Sequence, residues 1–189
     1  MKVKSNIGVD FDDVLVDSAK SILETLGLFF NETYSLSSLK TYNIADNLWI
    51  DKNIVNDAID IMLTNEEFLL IRDAKEIIKW LSEFYNIHII TARPREYLSY
   101  VETILKRNNI DEYITAITLT NNKLDVYRYL NVETIIEDRK RYIDDAYHDG
   151  IVSLVYDRPW NQDIKNTALT QRVYNWSDIK DYFMIKLGE

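Results

Sequence analysis

Four short β-branched runs from residue 86 onward limit the fold of the chain more than any other feature: residues 86–91 (NIHIIT), 114–119 (ITAITL), 133–137 (ETIIE) and 151–155 (IVSLV). Between and after them, residues 95–107, 122–130 and 139–148 carry helical spacing, and Gly150 stands where a helix C-terminal cap is expected. Strand–helix units of this size predict a parallel sheet with helices on both faces, an α/β doubly wound, Rossmann-like core. Residues 5–10 (SNIGVD) read as a further, first strand that ends in carboxylates. The C-terminal segment holds a short apolar stretch (RVYNW), with Ser177 as the expected cap of a last helix.

The series is interrupted after the first strand. From Asp17 or Ser18, either of which suits an N-cap, Ala19, Ile22, Leu23, Leu26 and Phe29–Phe30 recur at helical spacing. Residues 33–50 are polar and irregular, with Tyr34, Tyr42 and Trp49 among them. Asp51 opens a second helical pattern through Ile54, Val55, Ala58, Ile59 and Met62, and Thr64-Asn65-Glu66-Glu67 reads as the capping box of a short third helix. A further helix is expected from about Asp73 to Phe84. The division that follows is a core of residues 1–16 and 76–189 with a small helical cap of residues 17–75, the alternative being that the interruption is part of the core packing.

Composition narrows the chemistry. Hydrophobic residues are 47% of the 189, enough for a real core, while 4 Gly and 2 Pro leave no room for collagen-like or low-complexity architecture. Lys plus Arg is 22 against 31 Asp plus Glu, a net charge of −9, so no global field draws the chain onto nucleic acid or anionic membrane. A local cationic pocket for a small phosphate ester stays open. With no Cys there is no disulfide, thiol nucleophile or thiolate zinc site, and His88 and His148 are the only imidazoles. The N-terminal MKVKSNIGVDFDD turns acidic where a signal peptide needs its apolar stretch, and no apolar run reaches the roughly 20 residues that span a bilayer. A soluble, cytoplasmic protein is expected.

In open α/β sheets ligands collect beyond the carboxyl ends of the strands. There the sequence puts Asp10-Phe11-Asp12-Asp13, Thr91-Ala92-Arg93, Asn121-Asn122-Lys123 and Glu137-Asp138-Arg139. Carboxylates gathered this way repel one another, and a bound cation relieves them; oxygen ligands without His or Cys suit Mg²⁺. Phosphate accounts for the rest. One carboxylate can attack phosphorus, and a second two residues on returns to the same side of an extended strand, where it can act as general acid and base. Thr91 and nearby amides can bind phosphate oxygens, and Lys123 can offset their charge. Arg93 has two candidate partners, a phosphate or Glu96.

These residues resemble the haloacid-dehalogenase-like phosphohydrolases. Asp10-Phe11-Asp12-Asp13-Val14-Leu15 is similar to that superfamily's first motif, DxDx[TV][LV], Thr91 to its second, Lys123 to its third, and Glu137-Asp138 to its acidic fourth. The resemblance implies Asp10 as nucleophile, Asp12 as general acid/base with its backbone carbonyl on Mg²⁺, phosphate binding by Thr91, Ala92, Arg93 and Lys123, and Asp138 as direct metal ligand with Glu137 acting through water. A Glu-Asp pair departs from the commoner Asp-Asp, which leaves open the acid that touches the ion. Thr91-Ala92-Arg93-Pro94, Tyr156-Asp157-Arg158-Pro159-Trp160-Asn161 and Arg172-Val173-Tyr174-Asn175-Trp176 further resemble the 5'(3')-deoxyribonucleotidase family. That implies removal of phosphate from a small-molecule nucleoside monophosphate, with Tyr42, Trp49 or Phe68 of the cap as candidates to stack on the base. Another small phosphate ester, a polynucleotide 3'-phosphate and non-catalytic phosphate binding are the alternatives. Outside this set, Asn161 is expected to tie turns together, Asp144-Asp145 to be a solvated helix face, and both histidines to serve packing or helix-end roles.

Overall fold

A computed structural model describes residues 4–188. In chain order the elements are β1 (Ser5–Val9), α1 (Ser18–Phe30), α2 (Ile44–Leu48), α3 (Lys52–Leu63), α4 (Ala74–Ser82), β2 (Tyr85–Thr91), α5 (Leu98–Arg107), β3 (Ala116–Leu119), α6 (Lys123–Tyr129), β4 (Val132–Glu137), α7 (Lys140–His148), β5 (Val152–Tyr156), β6 (Thr170–Val173) and α8 (Trp176–Leu187). The six strands form one sheet in the order β3-β2-β1-β4-β5-β6, with every pair parallel. This is the doubly wound α/β architecture that the alternating pattern predicts. Its strand order reverses between β1 and β4, the point where such sheets open a crevice.

Ile7 and Val9 of β1, Ile87 and Ile89 of β2 and Ile136 of β4 are fully buried, as strands covered on both faces must be. Helices α1 and α3 pack on each other, and Leu23, Leu26, Val55 and Ala58 join the same contiguous core as the strands. Gly150 adopts φ 76° just after α7, the left-handed cap its position suggests.

Several local expectations are corrected. Residues 65–69 are not helical: the Thr64 hydroxyl donates back to Asp60 O and Ile61 O, so Thr64 closes α3 instead of opening a new helix. Ser177 lies inside α8, which is capped by the Asn175 side chain accepting from Asp178 N at 3.0 Å. Neither Asp17 nor Ser18 caps α1 with its side chain; Asp17 pairs with Arg158 at 2.8 Å and Ser18 donates to Asp12. The cap comes from Asp13, whose Oδ1 accepts from Ala19 N at 3.0 Å. The stretch RVYNW belongs partly to β6, a strand that runs parallel to β5 after a connection without an α-helix. No described helix is long and apolar enough to cross a membrane.

Candidate active site

Hydrogen bonding between β1 and β4 brings the acids together. Val9 lies opposite Ile136, and Asp10 N donates to Ile136 O at 3.0 Å, so the residues that follow both strands meet at the switch point. Carboxylate oxygens of Asp10, Glu137 and Asp138 all lie within 4.8 Å of one another, and all three side chains are buried. Lys123, the first residue of α6, reaches down between them. Its Nζ stands 2.7 Å from Asp10 Oδ1, 2.7 Å from Glu137 Oε2 and 4.5 Å from the Tyr142 ring centre.

One ammonium does not balance three buried carboxylates. Burial, then the charge of Glu137, holds Asp10 well above the usual carboxylate range against the pull of Lys123. Burial raises Glu137 too, and burial with the charges of Asp10 and Asp13 pushes Asp138 up to about 8. For Lys123 burial acts downward, but the two acids outweigh it and keep the ammonium protonated. Excess buried negative charge of this kind is what a divalent cation relieves. The donors are all oxygen, which fits Mg²⁺, and they are not equally available. Glu137 Oε1 accepts from Asp138 N and Arg139 N at 3.1 and 3.0 Å, and its Oε2 takes Lys123. Asp138 has only its Oδ2 engaged, by Trp160 Nε1 at 2.8 Å.

Asp12 points elsewhere. Arg93 holds it in a fork, with Nη2 donating to Oδ1 at 2.7 Å and Nε to Oδ2 at 3.0 Å, while Ser18 donates to Oδ1. Of the protein groups, Arg93 therefore pairs with Asp12 and not with Glu96. Its guanidinium is buried, with the Phe11 ring at 4.7 Å and the Phe68 ring at 5.9 Å. Burial would raise Asp12, but Arg93 outweighs it and holds the carboxyl below the usual range. Thr91 is fully buried at the end of β2, with Oγ1 3.5 Å from Asp12 Oδ2 and accepting from Arg93 N at 3.3 Å. Ala92 lies between them, half-buried.

A cavity of about 340 Å³ lies beside this cluster. Ala19, Ile22, Val55 and Ile59 of α1 and α3 give it an apolar wall, and Asp13, Arg139 and Trp160 border it on the acidic side. Tyr42 stands at the cavity with its ring 4.1 Å from the Arg139 guanidinium and edge-on to Trp160 at 6.1 Å. Of the other two stacking candidates, Phe68 lies against Arg93 outside this lining. Trp49 is not brought in: it ends α2 in a left-handed conformation and the residue is 93% exposed.

Three residues of the site had no such role in the sequence reading. Asp13 is buried at φ 60°, and burial pushes its carboxyl up to about 7. Trp160 holds Asp138 across 22 residues. Asn161 ties turns together as expected, through Tyr156 O, and its amide also donates to Asp138 O at 2.8 Å. The signals for them were an acid following the DxD pair and the Tyr156–Asn161 run just beyond β5.

Solved structures share this arrangement of strands. A haloacid-dehalogenase-like protein of Agrobacterium tumefaciens matches with a TM-score of 0.71 at 13% identity, over 99% of this chain and 100% of that one. A haloacid-dehalogenase-like family hydrolase of Streptococcus pneumoniae matches at 0.68 and 17%, over 95% and 98%. The fold is that of the haloacid-dehalogenase-like hydrolases. A magnesium-bound protein of Bacillus subtilis assigned to the HAD-hydrolases matches at 0.64 and 15%, over 96% and 99%. Among curated sequences, a protein named as a nucleotidase of Clostridium acetobutylicum is 25% identical over 177 residues, 92% of this chain and 91% of its own length. No family model matches the chain.

Proposed function

We propose that the protein is a Mg²⁺-dependent phosphomonoesterase that hydrolyses (deoxy)ribonucleoside monophosphates through an aspartyl-phosphate. The observation that carries this is the meeting of Asp10, Lys123 and Asp138 at the switch point of a haloacid-dehalogenase-like sheet, next to a cavity with an apolar wall. The cavity lies at the small end of the ordinary range for ligand pockets and accommodates a ring-bearing group beyond the phosphate. The name of the Clostridium acetobutylicum relative favours a nucleotide over other esters.

Asp10 and Asp138 are the residues with oxygens free to hold Mg²⁺, together with the backbone carbonyl of Asp12 that the resemblance implies. When bound, the ion supplies charge neutralisation to the phosphoryl oxygens. Asp10 attacks phosphorus as the ester P–O bond breaks, and the departing alkoxide takes a proton from the Asp12 carboxyl. Asp12 then takes a proton from water as that water attacks the phosphoaspartate, returning Asp10 and releasing phosphate. Lys123, already against Asp10, offsets charge on the same oxygens, and Thr91 offers them its hydroxyl. Arg93 holds Asp12 in place and ionised in the structure, the form the base step needs; the acid step needs the same carboxyl protonated, with Arg93 still fixing its position. Residues 17–75 act as the cap over the substrate, a small molecule; no stable nucleic-acid or membrane partner belongs to this reading, and the cytoplasm is the compartment it fits.

The test is hydrolysis of a panel of 5'- and 3'-monophosphates, ribo and deoxy, with and without chelator. Turnover of nucleotides, lost with chelator and restored by Mg²⁺, is expected. Turnover confined to non-nucleotide esters, or insensitive to chelator, overturns the proposal.

A further inference from the structure

Asp13 is a buried acid that the hydrolytic chemistry does not use. Its backbone is fixed from both sides: Asp13 N donates to Val16 O at 2.7 Å, and Asp13 O accepts from Arg158 Nε at 2.8 Å. Its φ of 60° falls in the left-handed region, which costs any L-residue with a Cβ and is best tolerated by Asp and Asn. Conformations of that kind persist where the surroundings over-determine them and cluster at ligand sites. One carboxylate oxygen, Oδ1, is committed to Ala19 N. Among the described residues, no hydrogen bond or ion pair reaches the other. The side chain is 6% exposed, and what exposure it has is onto the cavity it helps to line.

The free oxygen opens onto the cavity, so a donor on a bound ligand can reach it while Oδ1 keeps its bond to Ala19 N. Asp13 lines the cavity with Ile22, Val55 and Ile59 and with Trp160, which donates to Asp138, so it borders the acidic cluster on one side and the apolar wall on the other. The part of a substrate that passes this point is the one joining the phosphate to the ring. We infer that the free oxygen of Asp13 accepts a hydrogen bond from a ring hydroxyl of the substrate's sugar, making Asp13 a specificity-determining residue. This rests on the nucleotide reading above and adds to it the recognition of a hydroxylated linker.

Asp13→Asn is the informative variant. Asn tolerates the same backbone, keeps an oxygen for Ala19 N and places an amide donor where the free acceptor was. The measurement is kcat/KM for ribo- and 2'-deoxynucleoside 5'-monophosphates against their 2',3'-dideoxy counterparts, with phenyl phosphate as an ester that has no sugar. A charge-assisted hydrogen bond predicts that the wild type favours hydroxyl-bearing nucleotides by about 10- to 100-fold and that Asp13→Asn brings this ratio to about one. Asp13→Gly, which suits the left-handed backbone and lacks the acceptor, is expected to do the same, with far-UV circular dichroism checking the fold of each. An unchanged ratio in both variants, or no preference in the wild type, overturns the role of Asp13 and leaves the nucleotide reading intact. Wild-type turnover of phenyl phosphate but of no nucleotide overturns both.

Discussion

Lys123 Nζ and Asp10 Oδ1 lie 2.7 Å apart with neither side chain more than 9% exposed, and the same ammonium meets Glu137 at 2.7 Å. Glu137 spends its other oxygen on two backbone amides, so it acts as the anchor that points Lys123 at Asp10. Removing one partner of a buried pair leaves the other charge uncompensated. Lys123→Met is therefore expected to lower stability by about 3–5 kcal/mol and to abolish hydrolysis. Urea denaturation with an activity assay measures both; a variant as stable and active as wild type would show that the contact is incidental.

Asp10→Asn removes the attacking oxygen anion and leaves the side-chain shape. The protein is expected to stay folded, to bind phosphate analogues and to lose detectable turnover. Because Asp10 is one of several buried acids crowded around one lysine, the variant also relieves repulsion, and its melting temperature should match or exceed that of wild type in chelator. Full activity in Asp10→Asn would remove it as nucleophile.

The strand–helix alternation and the ordered acids were legible because both are local: β-branched runs bounded by helical spacing, each ending in residues of distinctive chemistry. What lay beyond the sequence was pairing at long range. Sequence proximity offers Arg93 the nearby Glu96, three residues away, yet it grips Asp12, 81 residues distant, because β1 and β2 are neighbours in the sheet. Trp160 carried no sign that its indole N–H would hold Asp138. Trp49 looked like a stacking residue from its type and place in the polar stretch, and only its left-handed turn at the end of α2 shows that it faces out. Asp13 read as one more member of an acidic cluster because its φ is not encoded in any periodic pattern.

Arg93 grips both oxygens of Asp12 with a planar fork that an ammonium cannot reproduce. Arg93→Lys keeps the charge and loses the fork. The expectation is a fall in kcat of about 10- to 100-fold, the usual effect of disturbing a supporting contact in an active site, with a smaller change in KM. Steady-state kinetics on one nucleotide measure the split. A change in KM alone would assign Arg93 to substrate binding.

Asn161 is completely buried and joins four groups from three segments: its amide nitrogen serves Asp138 O and Tyr156 O, and its oxygen accepts from Arg158 N and Arg172 Nη1. Asn161→Ala strands several of these groups at once. Each buried polar group left unpaired costs about 1–3 kcal/mol, so a loss of at least 3 kcal/mol is expected. Asp138 would be held less firmly, and Mg²⁺ affinity measured by calorimetry should weaken about tenfold or more. Weakened stability with unaltered Mg²⁺ affinity would confine Asn161 to the fold.

The buried acids also set how stability depends on pH. Burial pushes Asp13 up to about 7, and burial with neighbouring acids pushes Asp138 up to about 8. In the unfolded chain both carboxyls titrate near ~4, so from there to about pH 8 the folded state binds more protons than the unfolded one. Stability from these groups is complete below pH ~4 and is lost as pH rises through the folded values. Mg²⁺ binds Asp138 deprotonated, so it replaces that proton and stabilises most where the proton has gone. At a concentration 100 times its Kd the ion adds about 2.7 kcal/mol. Thermal melts at pH 5 and pH 8, in chelator and in Mg²⁺, should show the metal-free protein less stable at pH 8 and a Mg²⁺ increment that grows from pH 5 to pH 8. An increment of equal size at both would mean that the ion is not held by these acids.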